Sequence, residues 1–382
     1  MNFELTQRQQ LVRRSVRKFA EDVLAPVAPI FDKEAKFSGD IIKELSKINA
    51  WGIQLPEKYG GAELDSISYA ITIEEISRIC ASTGLMVTVH NSVGAFPIYK
   101  WGTEEQKERY LYDIATGKKI SGFSWTEPNA GSDAQGIECM MIQDGNDFIL
   151  NGSKIFVTNG ALGSVLLIGT RYKLKDGQKG IATVILEKDM EGYEIGQPEE
   201  KMGMRGNITT SLYFHNIRIP KENVLGSLGD GFRIAMKTLD VGRIGIAAQA
   251  LGIAQAAYEH SIEYSKGRIQ FKKPISTFQG ISFKLAEMAT KIDAARLLIY
   301  RAAYIKDKKQ RFSKESAMCK YYAGKIAREV TQEAIQIHGG YGYMKDLPLE
   351  RYHRDAAVTT IYEGTNEIMK LIIAQQILRG NL

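Results

Sequence analysis

Residues 232–265 read FRIAMKTLDVGRIGIAAQALGIAQAAYEHSIEYS, a run whose apolar residues keep helical spacing throughout. Two more stretches, 276–308 and 314–337, repeat the pattern, and helices this long with few breaks imply a bundle. Upstream the composition changes. Residues 121–226 contain short alternating or β-rich runs, DFILNGSKIFVTNG, VLLIGTRY, GIATVILEK and TSLYFHNIRIP, separated by Gly, Asn and Asp, which predicts a small all-β unit. Before it the pattern is helical again. Leu11, Val16, Phe19, Ala20, Val23 and Leu24 place a helix within 6–32 that Pro26 and Pro29 end, and further helices are expected over 39–50, 66–92, 96–101 and 104–116. The Gly- and Pro-dense segment 51–65, WGIQLPEKYGGAELD, reads as an ordered turn. The fold class is therefore α+β, mainly α, with a helical domain over 1–120, a central β domain over 121–228 and a helical bundle over 229–382.

The chain has 382 residues, 44% hydrophobic and 25% charged, enough to bury a large core. No apolar run approaches the roughly 20 residues that cross a bilayer, and residues 1–19 alternate charge with apolar side chains unlike a secretion signal, so no membrane span and a cytoplasmic location are expected. Cys80, Cys139 and Cys319 lie far apart without metal-type spacing and read as reduced structural thiols, with no metal site. The net charge of +6 is spread without an arginine-rich tract, which argues against nucleic acid as a partner and suits an anionic ligand.

Chemistry concentrates in three places. Residues 355–370, DAAVTTIYEGTNEIMK, carry small and β-branched side chains (Ala356, Ala357, Val358, Thr359, Thr360, Ile361) that are hard to reconcile with an exposed helix, then a bend at Gly364 and a cap at Thr365. Helical spacing resumes over 366–378, so Tyr362, Glu363 and Gly364 form a loop that can present one carboxylate into a cavity. Residues 123–135, FSWTEPNAGSDAQ, offer a polar loop around Thr126, Gly131, Ser132 and Asp133, with Phe123 and Trp125 available to lie against a planar ring. In LNGSKIFVTNG, Phe156 and Thr158 alternate with Val157 and are expected on one strand face. No strand is followed by GxGxxG and no GxxxxGK[ST] occurs, so a nicotinamide-binding unit and a P-loop are both disfavoured.

With TEPNAGSDA, LNGSKIFVTNG, GRIGIAAQALGIAQAA, Arg268 and Phe271 before Pro274 with Gln279 following, QIHGGYGY and YEGTNEI in this order, the whole chain resembles the acyl-CoA dehydrogenase family. The resemblance implies a C-terminal four-helix bundle, a homotetramer, and FAD held noncovalently between the β domain, the bundle and a neighbouring subunit. It implies flavin contacts from Phe123, Ser124, Trp125, Thr126 and Ser132, and from Phe156, Val157 and Thr158. It further implies contacts to the pyrophosphate and adenine end from Arg268, Phe271, Gln279, Gln336, Ile337, His338, Gly339 and Gly340 of the neighbour, with Thr365, Asn366 and Glu367 completing the FAD site. Substrate contacts are implied for Ser132, Asp240, Arg243, Tyr362 and Gly364.

In the same resemblance Glu363 is the catalytic base, removing the α-proton of an acyl-CoA thioester while the β-hydrogen leaves as hydride to the flavin. Some family members carry the base on the helix that contains LDVGR, where this chain has Gly242. Departures from the family pattern are Trp125 for a smaller aliphatic residue, Asn207 and Ser211 for Ser and Glu, and Lys272 for Gly. The implied activity is dehydrogenation of a short-chain acyl-CoA to the trans-2-enoyl-CoA, with an electron-transferring flavoprotein as electron partner. Its rivals are the same site run as an enoyl-CoA reductase with a bifurcating flavoprotein, a flavin oxidase, and a non-catalytic helical assembly protein.

Overall fold

The computed structural model describes residues 4–380. Its N-terminal part is helical: α1 (Gln7–Phe19), α2 (Ala28–Glu34), α3 (Gly39–Lys47), α4 (Ser66–Ile79), α5 (Ala81–Val89), α6 (Phe96–Trp101) and α7 (Glu104–Ala115). Thr6 and Thr103 start α1 and α7 with capping boxes completed by Gln9 and Gln106, each pair satisfying backbone donors that helix geometry leaves free. Two expectations change here. Pro29 does not end a helix but sits in the first turn of α2, where a missing N–H costs nothing. The single helix expected over 66–92 is broken at Cys80, whose backbone is extended (φ −140°, ψ 96°), and ends in a π-helical turn, His90–Ala95.

The β unit contains β1 (Ser121–Ser124), β2 (Met140–Asp144), β3 (Asp147–Thr158), β4 (Val165–Lys173), β5 (Lys179–Glu187), β6 (Tyr193–Pro198) and β7 (Thr209–Ile219) in one seven-stranded sheet. Along one edge of β4, β1 and then β2 pair in parallel, while β5 pairs antiparallel on the other edge. The order continues β2, β3, β7, β6. One face closes a core of Phe148, Leu150, Val157, Leu166, Ile168, Phe214 and Ile217. Val165, Leu167 and Ile185 instead pack against Ile98, Tyr110 and Leu111, which fastens the sheet to α6 and α7.

The C-terminal part begins with α8 (Gly231–Gly267), followed by a hairpin of β8 (Ile269–Gln270) and β9 (Lys273–Pro274). Then come α9 (Gln279–Asp307), α10 (Ser313–His338), the single turn α11 (Gly340–Tyr343), α12 (Leu349–Val358) and α13 (Asn366–Leu378). Helices α8, α9, α10 and α13 pack as a bundle, and α8 also runs along α4 and α5. Its glycines make that approach close. A Cβ on Gly252 would lie 2.3 Å from the Glu74 carbonyl oxygen, and one on Gly245 would lie 2.3 Å from both the Tyr69 and Thr88 hydroxyls. N-terminal and C-terminal helices accordingly share one apolar core that includes Trp51, Tyr69, Leu251, Met288 and Ile326.

The run 356–361 is helical through Val358, in a helix that is not exposed. Tyr352, Asp355 and Ala356 face inward from α12, and packing outweighs the weak helix propensity of β-branched residues. No helix among the described residues is long and apolar enough to cross a membrane.

Candidate active site

Between α12 and α13 the chain makes a tight turn centred on Glu363. Thr365 caps α13 by accepting the Ile368 N–H at 3.3 Å, which fixes where the loop ends. Just before the cap, Glu363 (φ +51°) and Gly364 (φ +98°) are both left-handed. A non-glycine residue holds that conformation only where its surroundings enforce it. Here two buried cations do so: Arg243 Nε donates to the Glu363 carbonyl at 3.3 Å, and Lys320 Nζ donates to the Gly364 carbonyl at 2.5 Å. Arg243 is itself paired with Asp240 at 2.8 Å, and the Ser313 hydroxyl donates to the second Asp240 oxygen.

The turn aims the Glu363 side chain at α8. Both carboxyl oxygens are sealed from solvent and neither has a hydrogen-bond partner. They occupy the space left by Gly242, whose missing Cβ would stand 2.1 Å from Oε2. Burial pushes the carboxyl up to about 7, while Arg243 and Lys320 pull it the other way. The Lys320 ammonium is pushed down to about 8 by its own burial, opposed by Glu363. A desolvated carboxyl titrating near neutrality, with no internal bond to break, is suited to exchange a proton with a group placed beside it.

Further along α8 the space is closed by polar side chains. The Tyr362 hydroxyl donates to Gln249 Oε1, whose amide group donates to the Ala81 carbonyl at 2.8 Å. Tyr69 and Thr88 join their hydroxyls at 2.9 Å over Gly245.

The β side of the site is built from β1, β3 and the loop after β1. Phe156 is 63% exposed and left-handed (φ +56°), at a bulge in the β3–β7 pairing. The preceding Ile155 N–H donates to the Thr126 carbonyl at 3.0 Å, so Phe156 stands beside the polar loop. Ser132 is exposed on that loop, and the Ser124 hydroxyl is buried without a partner. Asn159 ties this rim to α5, donating to the Met86 carbonyl at 3.3 Å, two residues from Thr88. Rim and Glu363 loop thus flank the same helix pair. An exposed ring beside a polar loop with an unused buried hydroxyl fits the planar, polar-rimmed flavin that the resemblance implies, as does the unpartnered buried Asn366 Oδ1 across the site.

Two expected contacts are placed differently. The Trp125 indole is 7% exposed, stacked on Phe123 at 5.7 Å, with its N–H donated to the Ala134 carbonyl at 2.7 Å. It fills the space over Gly169, where a Cβ would come within 2.2 Å of the ring, so its face is committed to its own core. Val157 points into the β core, leaving only its backbone on the side of Phe156 and Thr158. Of the other departures, Asn207 donates to Asn159 at 3.4 Å and Ser211 donates to Glu199 at 3.2 Å, so both serve the sheet and its rim. Lys272 lies with Phe271 in a left-handed hairpin turn.

Arg268, Phe271, Gln336, Ile337, His338, Gly339 and Gly340 come together in an open pocket of ≈ 790 Å³ at the far end of the bundle. Arg268 lies over Tyr341 at 5.7 Å, His338 stacks on Tyr264 at 4.3 Å, and Phe271 is 88% exposed. Gln279 opens α9 beside the lining Gly280, and Glu367 is exposed in the first turn of α13. This pocket is not near Glu363. Gly242 and Arg268 are both on or at the end of α8, 26 residues apart, which at 1.5 Å per residue is about 39 Å.

Sequence reasoning missed Gln249, Lys320, Tyr69 and the Lys154–Glu127 pair. Lys154 is fully buried, donating to Glu127 at 2.6 Å and to the Trp125 carbonyl at 3.0 Å, and so holds the polar loop against β3. A signal was available for Lys320. Ser316, Ala317, Ala323, Gly324 and Ala327 form a buried face of small residues on α10, and Lys320 falls on that face.

Comparison with known proteins matches residues 6–118 to the N-terminal domain, 122–217 to the middle domain and 229–378 to the C-terminal domain of acyl-CoA dehydrogenases. The chain is 45% identical to the acryloyl-CoA reductase (NADH) of Anaerotignum propionicum, over 99% of this chain and 96% of that one. Among solved structures, butyryl-CoA dehydrogenase from Megasphaera elsdenii superposes with a TM-score of 0.96 at 42% identity, covering 99% of this chain and 100% of the other. A chain solved in work on the electron transferring flavoprotein of Acidaminococcus fermentans and flavin-based electron bifurcation superposes equally well, TM-score 0.96 at 45% identity, with 99% and 100% coverage.

Proposed function

The chain belongs to the acyl-CoA dehydrogenase family of FAD-dependent oxidoreductases, and on that premise we propose that it interconverts a short-chain acyl-CoA and its trans-2-enoyl-CoA, exchanging electrons with an electron-transferring flavoprotein. The observation that carries the reading is the Glu363 carboxyl, sealed, unbonded, raised to about 7 and aimed across Gly242. In the oxidising direction it takes the α-proton of the bound thioester. Removing so weak an acid requires that the developing negative charge on the thioester oxygen be met by fixed donors, and the left-handed Glu363–Gly364 turn leaves the Glu363 backbone N–H free for that role while its carbonyls are held from behind. When bound, FAD supplies the hydride acceptor; Phe123, Ser124, Thr126, Ser132, Phe156, Thr158 and Asn366 would hold it, with Asp240, Arg243 and Tyr362 shaping the substrate side.

Similarity to an acryloyl-CoA reductase supports a second reading, in which the protonated Glu363 delivers its proton to the α-carbon of an enoyl-CoA. A carboxyl near 7 serves both directions. The short-chain preference is supported by the Tyr69, Thr88, Gln249 and Tyr362 cluster, because an acyl chain extended along α8 beyond Gly245 meets packed side chains. Anaerobic mixing with acyl-CoA chains of increasing length should bleach the flavin fastest near four carbons, with the rate falling past about eight as overpacking sets in. Equal turnover of a sixteen-carbon chain would end the short-chain reading.

About 39 Å is further than one dinucleotide reaches, so the Arg268 pocket cannot serve the flavin beside Glu363 of its own chain. A second copy would supply it, within a homotetramer. Arg268→Ala is then expected to lose FAD on dialysis while the isolated chain's helical content is unchanged. Flavin absorbance per chain and sizing check this, and full retention of FAD with unchanged assembly would refute the shared site.

A further inference from the structure

Lys320 touches neither substrate nor flavin in the reaction described above, yet it is a fully buried ammonium bonded to the residue next to the base. Burying a charge costs several kcal/mol unless it is well paired. Its hydrogen bond goes to a backbone carbonyl, that of Gly364, rather than to a carboxylate oxygen. One turn further along α10 and on the same face, Gly324 lets the Thr359 carbonyl approach, with a missing Cβ that would stand 2.9 Å from that oxygen. The two positions together seat both ends of the 359–364 segment on α10.

We propose that Lys320 is a positioning residue for the base: by holding the Gly364 carbonyl toward the bundle it fixes the left-handed Glu363–Gly364 turn, keeps the Glu363 N–H facing the substrate, and aims the carboxylate across Gly242. The inference rests on the reading of Glu363 as the base. Arg243 performs the matching task on the Glu363 carbonyl, but its charge is already engaged by Asp240. Lys320 therefore contributes the less compensated positive charge facing the carboxylate. The charged and titratable groups around the carboxyl are Arg243 and Asp240 from α8, Lys320 from α10, Glu367 from α13, Tyr69 from α4, and Tyr362 within the loop. Lys320 and Arg243 are the cations among them, so loss of Lys320 raises the carboxyl further.

The test compares Lys320→Met and Lys320→Gln in the flavin-loaded, full-length protein. Single-turnover bleaching of the flavin by butyryl-CoA is followed across pH under anaerobic conditions. Lys320→Met should lower the plateau rate by about 10- to 100-fold, the scale of a small misplacement of a reacting group. Its midpoint should move up by about one pH unit. Lys320→Gln keeps a donor for the Gly364 carbonyl without the charge, so it should recover most of the plateau while keeping the raised midpoint. If Lys320→Met retains flavin and shows an unmoved midpoint with a plateau within two-fold of the parent, the proposal is wrong. If the Met variant does not fold, an unmoved midpoint in Lys320→Gln overturns it equally. A lowered melting temperature with no change in the pH profile would assign Lys320 a structural role only. Glu363→Gln run in parallel separates the two claims: retained reduction there removes the base reading itself, whereas lost reduction with a silent Lys320→Met removes only this inference.

Discussion

Glu363→Gln should bind flavin and acyl-CoA within a few-fold of the parent and reduce its flavin about 10²- to 10⁴-fold more slowly, the usual share of a general base. The amide is nearly isosteric, and the parent carboxyl makes no hydrogen bond that the substitution would break. Stopped-flow bleaching at saturating acyl-CoA measures the effect, and a variant that bleaches at nearly the parent rate would show that the α-proton leaves to another group. A second, independent readout comes from stability. The Glu363 carboxyl titrates near 7 in the folded protein against 4.5 when unfolded, so the folded state holds the extra proton between those values. The stability of the parent is therefore full below about pH 4.5 and declines as pH rises through about 7, because ionisation is disfavoured only in the folded chain. Glutamine carries no such penalty. The variant's gain in thermal stability, measured without acyl-CoA, should be near zero at pH 4.5 and grow to at most on the order of 3 kcal/mol at pH 8, from 1.36 kcal/mol per pKa unit. A gain independent of pH would mean that the carboxyl is solvated in the folded protein.

What the sequence disclosed and what it withheld follow from how each feature is encoded. Thr365 and the spacing beyond it give α13 as Asn366–Leu378, the span expected, because a cap and a helical repeat are local signals. The long helices differ from expectation by a few residues at their ends for the same reason. Cys80 is different. Nothing local distinguishes it from its apolar neighbours, and the break there depends on how α4 and α5 settle against α8. Trp125 was legible as an aromatic beside a polar loop, but its burial depends on Gly169, a residue 44 positions away that provides the room. The bulge in β3 likewise turns Phe156 outward with a left-handed backbone that strict alternation does not anticipate, while Val157 remains in the core. At the active site the motif YEGTNEI named the carboxylate. Its electrostatic surroundings came from Arg243 and Lys320 on two other helices, and tertiary packing alone brings those to the Glu363 loop.

Gly242→Ala should slow flavin reduction by about 10²-fold with the fold intact, an effect that arises from geometry rather than from charge. The added Cβ would lie 2.1 Å from Glu363 Oε2 and 2.8 Å from Cδ, far inside contact distance. Helix α8 cannot retreat, since every residue from Asp240 to Ala254 is buried and α4, α5, α9 and α10 pack around it. Nor can the Glu363 backbone give way, being held through its own carbonyl by Arg243 and through that of Gly364 by Lys320. The side chain is the part left to move, and it must shift by roughly 1 Å or more, enough to misalign a proton transfer. Alanine is the better helix former by about 1 kcal/mol, which offsets part of the overpacking, so retained flavin and a cooperative melt separate displacement of the base from unfolding. Adding Gly242→Ala to Glu363→Gln should cost little further rate, because the two changes disable one group. A single Gly242→Ala variant within three-fold of the parent would mean that the carboxylate reacts from some other position, and the arrangement of base over glycine would then have no catalytic meaning.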